Sequence, residues 1–287
     1  MASIASGRSE TFSIGRAFSN TFSVIGRSFA TLTAIVGLFS MLPALLYNIW
    51  NFTQVARMTG SGDIATFERS TIGTYGVVSL VAGLVLLALA FLAQAALVRA
   101  TIEDLNGKRP AIGDCIQIAL RSFFPTLGTG LVIILALVLA VLVLGVVAMI
   151  IPIVGGVIAL LGMVPIAMWL ISISVAVPVV VQERPGVFAA ISRSRTLTKG
   201  SRWRIFFLFL VIGIAAMALQ VIFTLLFQAA VLSGGVTTRG IIVGAVGSSL
   251  LSTIFSAVIS VAIAVTYVEL RRVKEGTSVD ELAEIFS

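Results

Sequence analysis

Six basic side chains fall in one short stretch: Arg184, Arg193, Arg195, Lys199, Arg202 and Arg204, just after Glu183. Guanidinium and ammonium groups at this density can hold phosphate oxygens, at about 1 kcal/mol for each basic group near an anionic surface. Arg193, Arg195, Lys199, Arg202 and Arg204 are therefore candidate ligands for anionic lipid headgroups. The same charges also act as a topology signal that needs no ligand. The sequence leaves both roles open. Glu183 and Arg195 are near enough in the chain to be expected as a pair.

Other chemistry is poorly supplied. There is no histidine, the commonest general base and metal ligand, and Cys115 is the only cysteine, so no intrachain disulfide can form. No Ser-His-Asp set, metal motif, phosphate loop or dinucleotide fingerprint can be assembled. The expectation is a protein that is not an enzyme, with no cofactor and no metal. Gln94, Gln220 and Gln228 are the most polar candidates inside apolar stretches, where hydrogen bonding between helices is their expected role.

The elements that must position the basic stretch are apolar. The chain is 59% hydrophobic and 11% charged, where soluble domains carry roughly a quarter charged residues. A 287-residue soluble protein could not cover its surface with so little charge. Six runs, 29–50, 76–98, 126–151, 157–181, 205–231 and 240–270, each reach the ~20 residues a span needs, with no central charge. Pro43 should kink the first, and Tyr47 and Trp50 suit its interfacial end. Pro152 to Gly156 reads as a turn between the third and fourth. The reading is an all-α polytopic membrane protein, one domain over 1–287, with six transmembrane helices.

Sixteen Lys and Arg side chains flank one set of span ends and three, Arg57, Arg69 and Arg239, the other. That places both termini in the cytoplasm. The net charge of +7 thus reads as topology and contact with anionic lipid, not nucleic acid. Residues 1–28 lack a signal peptide's compact apolar core and resemble a transit peptide in being rich in Ser and Arg.

That transit-like segment matches two internal ones. Segments 11–28, 111–124 and 186–199 each precede an outgoing span and each read as a helix lying in the headgroup plane. In the first, Ile14, Phe18, Phe22, Ile25 and Phe29 share one face, opposite Arg16, Asn20 and Arg27. The starts align as Ser13-Ile14-Gly15, Ala111-Ile112-Gly113 and Gly186-Val187-Phe188. The pattern is three repeats, each an interfacial helix and a transmembrane hairpin; the match assigns 11–28 to the fold. A short tail helix is expected over 279–286, opened by Ser278 and Glu281.

The sixth span carries small residues every four positions: Gly240, Gly244, Ser248, Ser252, Ser256, Ser260 and Ala264. Such rows permit close helix packing, and a step of four drifts around the helix, so this row should meet more than one neighbour, or one neighbour at a right-handed crossing.

Two motifs carry a family resemblance. Val177-Pro178-Val179-Val180-Val181-Gln182-Glu183 leads through Ser192-Arg193-Ser194-Arg195-Thr196-Leu197-Thr198-Lys199-Gly200 to Trp203-Arg204. Tyr267-Val268-Glu269-Leu270-Arg271-Arg272 precedes Lys274-Glu275-Gly276. Together they resemble a bacterial inner-membrane family, the membrane domain of glycerophosphoryl diester phosphodiesterases, and its relatives of unknown function. The resemblance covers nearly the whole chain. It implies a six-helix module of the bacterial cytoplasmic membrane, with no catalytic residues to carry over. Some relatives carry a soluble phosphodiesterase domain after the membrane part, and none is expected here. The expected partners are membrane lipids, anionic ones above all, and a membrane protein or a second copy. The expected function is organising lipids or partner proteins at the cytoplasmic face. The alternative is a transporter or lipid flippase.

Overall fold

Ser13 is extended and its side chain accepts the Arg16 amide at 3.4 Å, opening α1 (Ile14–Arg27). Ser28 bends the chain into α2 (Phe29–Val36). A five-residue π turn, Gly37–Met41, separates α2 from α3 (Leu42–Gly60). It lies just ahead of Pro43, whose ring lacks an N–H and crowds the carbonyl four residues back; the widened turn is how the first span accommodates it. α4 (Arg69–Leu105) follows, then α5 (Ile112–Arg121), α6 (Phe123–Ile150) and α7 (Pro152–Ile173). The chain continues through α8 (Ala176–Glu183), α9 (Val187–Thr198), α10 (Arg202–Gly234) and α11 (Thr238–Glu275). This computed structural model describes residues 11–60, 69–150, 152–234 and 238–275. The tail segment 279–286 lies outside the described residues.

The described residues are helical, without strands, and contain six helices long and apolar enough to cross a membrane. Their bounds differ from the apolar runs where polar groups find partners. α4 continues past Arg99 to Leu105 because Arg99 pairs with Glu103 one turn on, at 2.7 Å. The expected turn 152–156 is instead the start of α7: proline suits a first helical position, where its missing N–H costs nothing. At Gly155, α7 approaches α6 so closely that a Cβ would stand 2.5 Å from the Val147 carbonyl oxygen.

The fourth span is broken. Ser174 and Val175 interrupt it ahead of Pro178, leaving α7 and α8 as separate helices. The break frees the Ser172 carbonyl, which accepts the hydroxyls of Ser194 (3.0 Å) and Thr198 (3.2 Å) from α9. A main-chain break in an apolar region is stable only when protein groups satisfy it.

The core is gathered at one end. Its main contributors are Leu32, Ile35 and Val36 of α2, buried residues between Ala93 and Ile102 of α4 and between Ile171 and Val181 of α7 and α8, Ile205, Leu208 and Ile212 of α10, and buried residues between Val261 and Leu270 of α11. The helices α1, α5 and α9 lie against this end. Each, with the residues that follow it, buries the same four positions, stepped four, three and four: Ala17, Thr21, Val24 and Ser28; Cys115, Ala119, Ser122 and Thr126; Ala190, Ser194, Leu197 and Ser201. The apolar face read for residues 14–29 is thus divided. Its small neighbours turn inward, while Phe18, Phe22 and Phe29 stay exposed. Periodicity weighs large side chains, but close packing of helices favours small ones.

Candidate functional site

The end of the bundle bearing α1, α5 and α9 is also the basic end, and carboxylates at the ends of the long helices organise it. Asp104, in the last turn of α4, accepts Ser28 Oγ at 2.7 Å on one oxygen. Its other oxygen takes Arg27 Nη2 at 2.7 Å and Nε at 3.2 Å. The hydrogen bond and charge of Asp104 raise the Arg27 pKa further above its ordinary value. Near the other end of α1, Arg16 forms an ion pair at 2.5 Å with Glu269 of α11, whose side chain is only 5% exposed. α1 is therefore clasped between the ends of α4 and α11.

α9 is clasped in the same manner. Glu183, the last residue of α8, accepts Tyr267 Oη at 2.8 Å and Arg193 Nε at 3.1 Å. Arg193 also pairs with Glu275, which Arg271 holds from one turn back at 2.7 Å. Arg184 ends α8 in the left-handed region, at φ 52°, and Gly186 at φ 87° turns the chain into α9.

This geometry separates the five candidate headgroup ligands. Arg193 is committed to Glu183 and Glu275. Arg204 donates to the Phe12 carbonyl at 3.2 Å, tying α10 to the entry of α1. Arg202 is half-buried; Arg195 and Lys199 are exposed. The expected Glu183–Arg195 pair is replaced by Glu183–Arg193. Ser194 points inward to the Ser172 carbonyl, which fixes the rotation of α9 and turns Arg195 outward. Sequence reasoning passed over Arg16, Arg27, Asp104 and Glu269 as site residues. The available signal was carboxylates at the ends of apolar runs, facing basic segments.

The small-residue row of the sixth span meets several neighbours, as its drift requires. A Cβ at Gly244 would collide with the Phe227 ring of α10. Ser248 and its neighbour Ser249 face Asn48 of α3, which donates to Ser249 Oγ at 2.9 Å. Ser252 and Ser256 border a cavity reaching α4, and Ser260 is buried. The surroundings of Gly240 lie outside the described residues. Gln220 and Gln228 sit on the exposed surface of α10, not between helices. Among the described residues no group of His, Cys, Asp and Glu could hold a metal ion.

No family model, curated protein or solved structure matches this chain.

Proposed function

We propose that this is a non-enzymatic module of a bacterial cytoplasmic membrane that organises anionic lipids at the cytoplasmic face, with both termini on that side. The carrying observation is the division of each short helix into faces. One small-residue face is buried against the long helices, while a second apolar face is left open: Phe18 and Phe22 on α1, Ile112 and Leu120 on α5, and Phe188, 77% exposed, on α9. An exposed aromatic beside exposed cations suits the boundary between headgroups and acyl chains. The repeated burial register supports three repeats, each an interfacial helix followed by a transmembrane hairpin. The likeness of the 177–204 and 267–276 motifs to the phosphodiesterase membrane domain belongs to this proposal on the sequence alone.

The cations free to meet lipid on α9 are Arg195 and Lys199. Neutralising both by Arg195→Gln and Lys199→Gln should lower the amount of anionic phospholipid that copurifies with the protein. Bound lipid is counted by mass spectrometry after mild detergent extraction. Lipid retention equal to that of the unmodified protein would count against the reading.

A second reading, movement of lipid between leaflets, is favoured by one observation. Ser40, Ser252, Thr253 and Ser256 line a cavity of about 200 Å³ among α3, α4 and α11. The Thr253 hydroxyl oxygen there is buried without a hydrogen-bond partner. Reconstituted vesicles with a fluorescent phospholipid in one leaflet test this reading; no acceleration of bleaching by an external reductant would end it.

A further inference from the structure

A second basic feature lies away from α9. Between the start of α2 and the turn after α4 is a cavity of about 840 Å³, within the size range of small-ligand sites. Arg27, Lys108 and Arg109 line it, with Asp104 as its carboxylate. Asp104 is satisfied by Arg27 and Ser28, so its charge is already balanced. Lys108 and Arg109 are exposed; the Lys108 amide donates to the Glu103 carbonyl at 2.9 Å, and among the described residues neither side chain has an ion-pair or hydrogen-bond partner. The cavity thus carries an uncompensated double positive charge. Gly107, at φ +72°, makes the turn that presents these two residues, and nothing lies within 4 Å of where its Cβ would be. Thr31 Oγ1 and the Pro110 carbonyl stand together at 3.4 Å on the inner wall. Ala30 and Leu105 supply apolar lining where α2 enters the apolar region.

We infer that this cavity binds a phosphate-bearing anion, supplied by the headgroup of an anionic phospholipid, with Lys108 and Arg109 as the principal ligands and Arg27 as a third donor. The cations match phosphate oxygens, and the apolar wall beside the first span matches the glycerol ester region. The inference rests on the proposed lipid-organising role in taking this end as the one facing anionic headgroups. It assigns that role a defined site distinct from the exposed cations of α9.

The test uses the full chain in detergent, stripped of lipid and titrated with phosphatidylglycerol, with binding counted by native mass spectrometry. Parallel titrations use phosphatidylcholine, inorganic phosphate and glycerol 3-phosphate. One saturable phosphatidylglycerol site is expected, weakened roughly thirtyfold by Lys108→Gln with Arg109→Gln. The same site should persist in the Arg195→Gln, Lys199→Gln protein. Both pairs are exposed, and an unchanged thermal midpoint verifies that each variant folds. Unchanged affinity in the Lys108, Arg109 variant overturns the site; the lipid-organising role then stands or falls on the α9 variant alone. Equal affinity for phosphatidylcholine overturns it as well. Tight binding of inorganic phosphate or glycerol 3-phosphate, lost in the same variant, upholds the phosphate site and assigns its source to a soluble phosphate or phosphate ester.

Discussion

At the basic end, α4, α8, α10 and α11 bury side chains against one another and against three short helices. Toward Met149 and Val243, the long helices leave Leu, Val and Ile side chains exposed. The most apolar window of α6 has none of its residues buried, whereas that of the α7–α8 segment is 56% buried. In water such exposure would be a defect. In lipid, apolar side chains gain nothing by leaving the acyl chains, so no hydrophobic force draws helices together. What closes the basic end is polar: buried carboxylates, a broken helix with a free carbonyl, and the arginines and hydroxyls that satisfy them. The core at that end follows from those bonds as much as it supports them.

The largest expected effect breaks this end directly. Arg16→Ala leaves Glu269 buried with its charge uncompensated, which should cost about 3–5 kcal/mol. Unfolding by a denaturing detergent in mixed micelles measures it, and Arg16→Met with Glu269→Leu should recover most of the loss. Leu142→Ala, on an exposed face of α6, should change the same midpoint by under ~0.5 kcal/mol. Equal losses from Arg16→Ala and Leu142→Ala would erase the contrast between the two ends.

A smaller effect concerns the broken fourth span. Ser194→Ala with Thr198→Val removes both hydroxyls from the Ser172 carbonyl. The expected loss is about 1–3 kcal/mol, with α9 loosened first. Limited proteolysis within 186–200 should accelerate in that variant. Protection equal to that of the unmodified protein would show that the ion pairs of Arg193 hold α9 unaided.

The smallest effect concerns α5, for which no ion pair to a long helix is found among the described residues. Its anchor is Cys115, fully buried, and burial pushes the thiol up to about 11 from an ordinary 9.0. The folded value is the higher one, so the neutral thiol's contribution is complete below pH about 9 and is lost as pH rises toward 11. Maleimide should label Cys115 at least about tenfold more slowly in the folded protein than after unfolding at pH 7.5. The part of the alkaline loss that falls between about pH 9 and 11 should shrink in Cys115→Ala.

The long helices were legible because an uncharged apolar run longer than about 20 residues suits a membrane span and little else. A likeness among the three short segments was legible too: Ile14, Ile112 and Val187 align in sequence and open helices with an equivalent burial register, the first starting at Ile14 rather than at residue 11. Which face turns inward was not. Phe18 and Phe22 dominate a hydrophobic pattern, yet Ala17 and Thr21 make the close contact. The ion pairs were illegible for a different reason. Arg193 meets Glu275, 82 residues on, and Arg16 meets Glu269 near the other end of the chain, and local spacing carries no record of such distant meetings. Glu183 was expected to take Arg195, its partner by proximity. The rotation of α9 is set by a carbonyl freed in the preceding helix, and no composition rule reads that out.

The clasp on α1 has a consequence for how the chain is made. Its partners are Asp104 at the end of the second span, Arg204 reaching Phe12 from the fifth, and Glu269 in the sixth. Synthesis delivers these in that order, whereas α9 can satisfy Ser172 as soon as it leaves the ribosome. α1, made before all three, is therefore fully secured only once the sixth span has followed. Until the sixth span has been made, α1 lacks the Glu269 side of this clasp, and its attachment rests on Asp104 and Arg204.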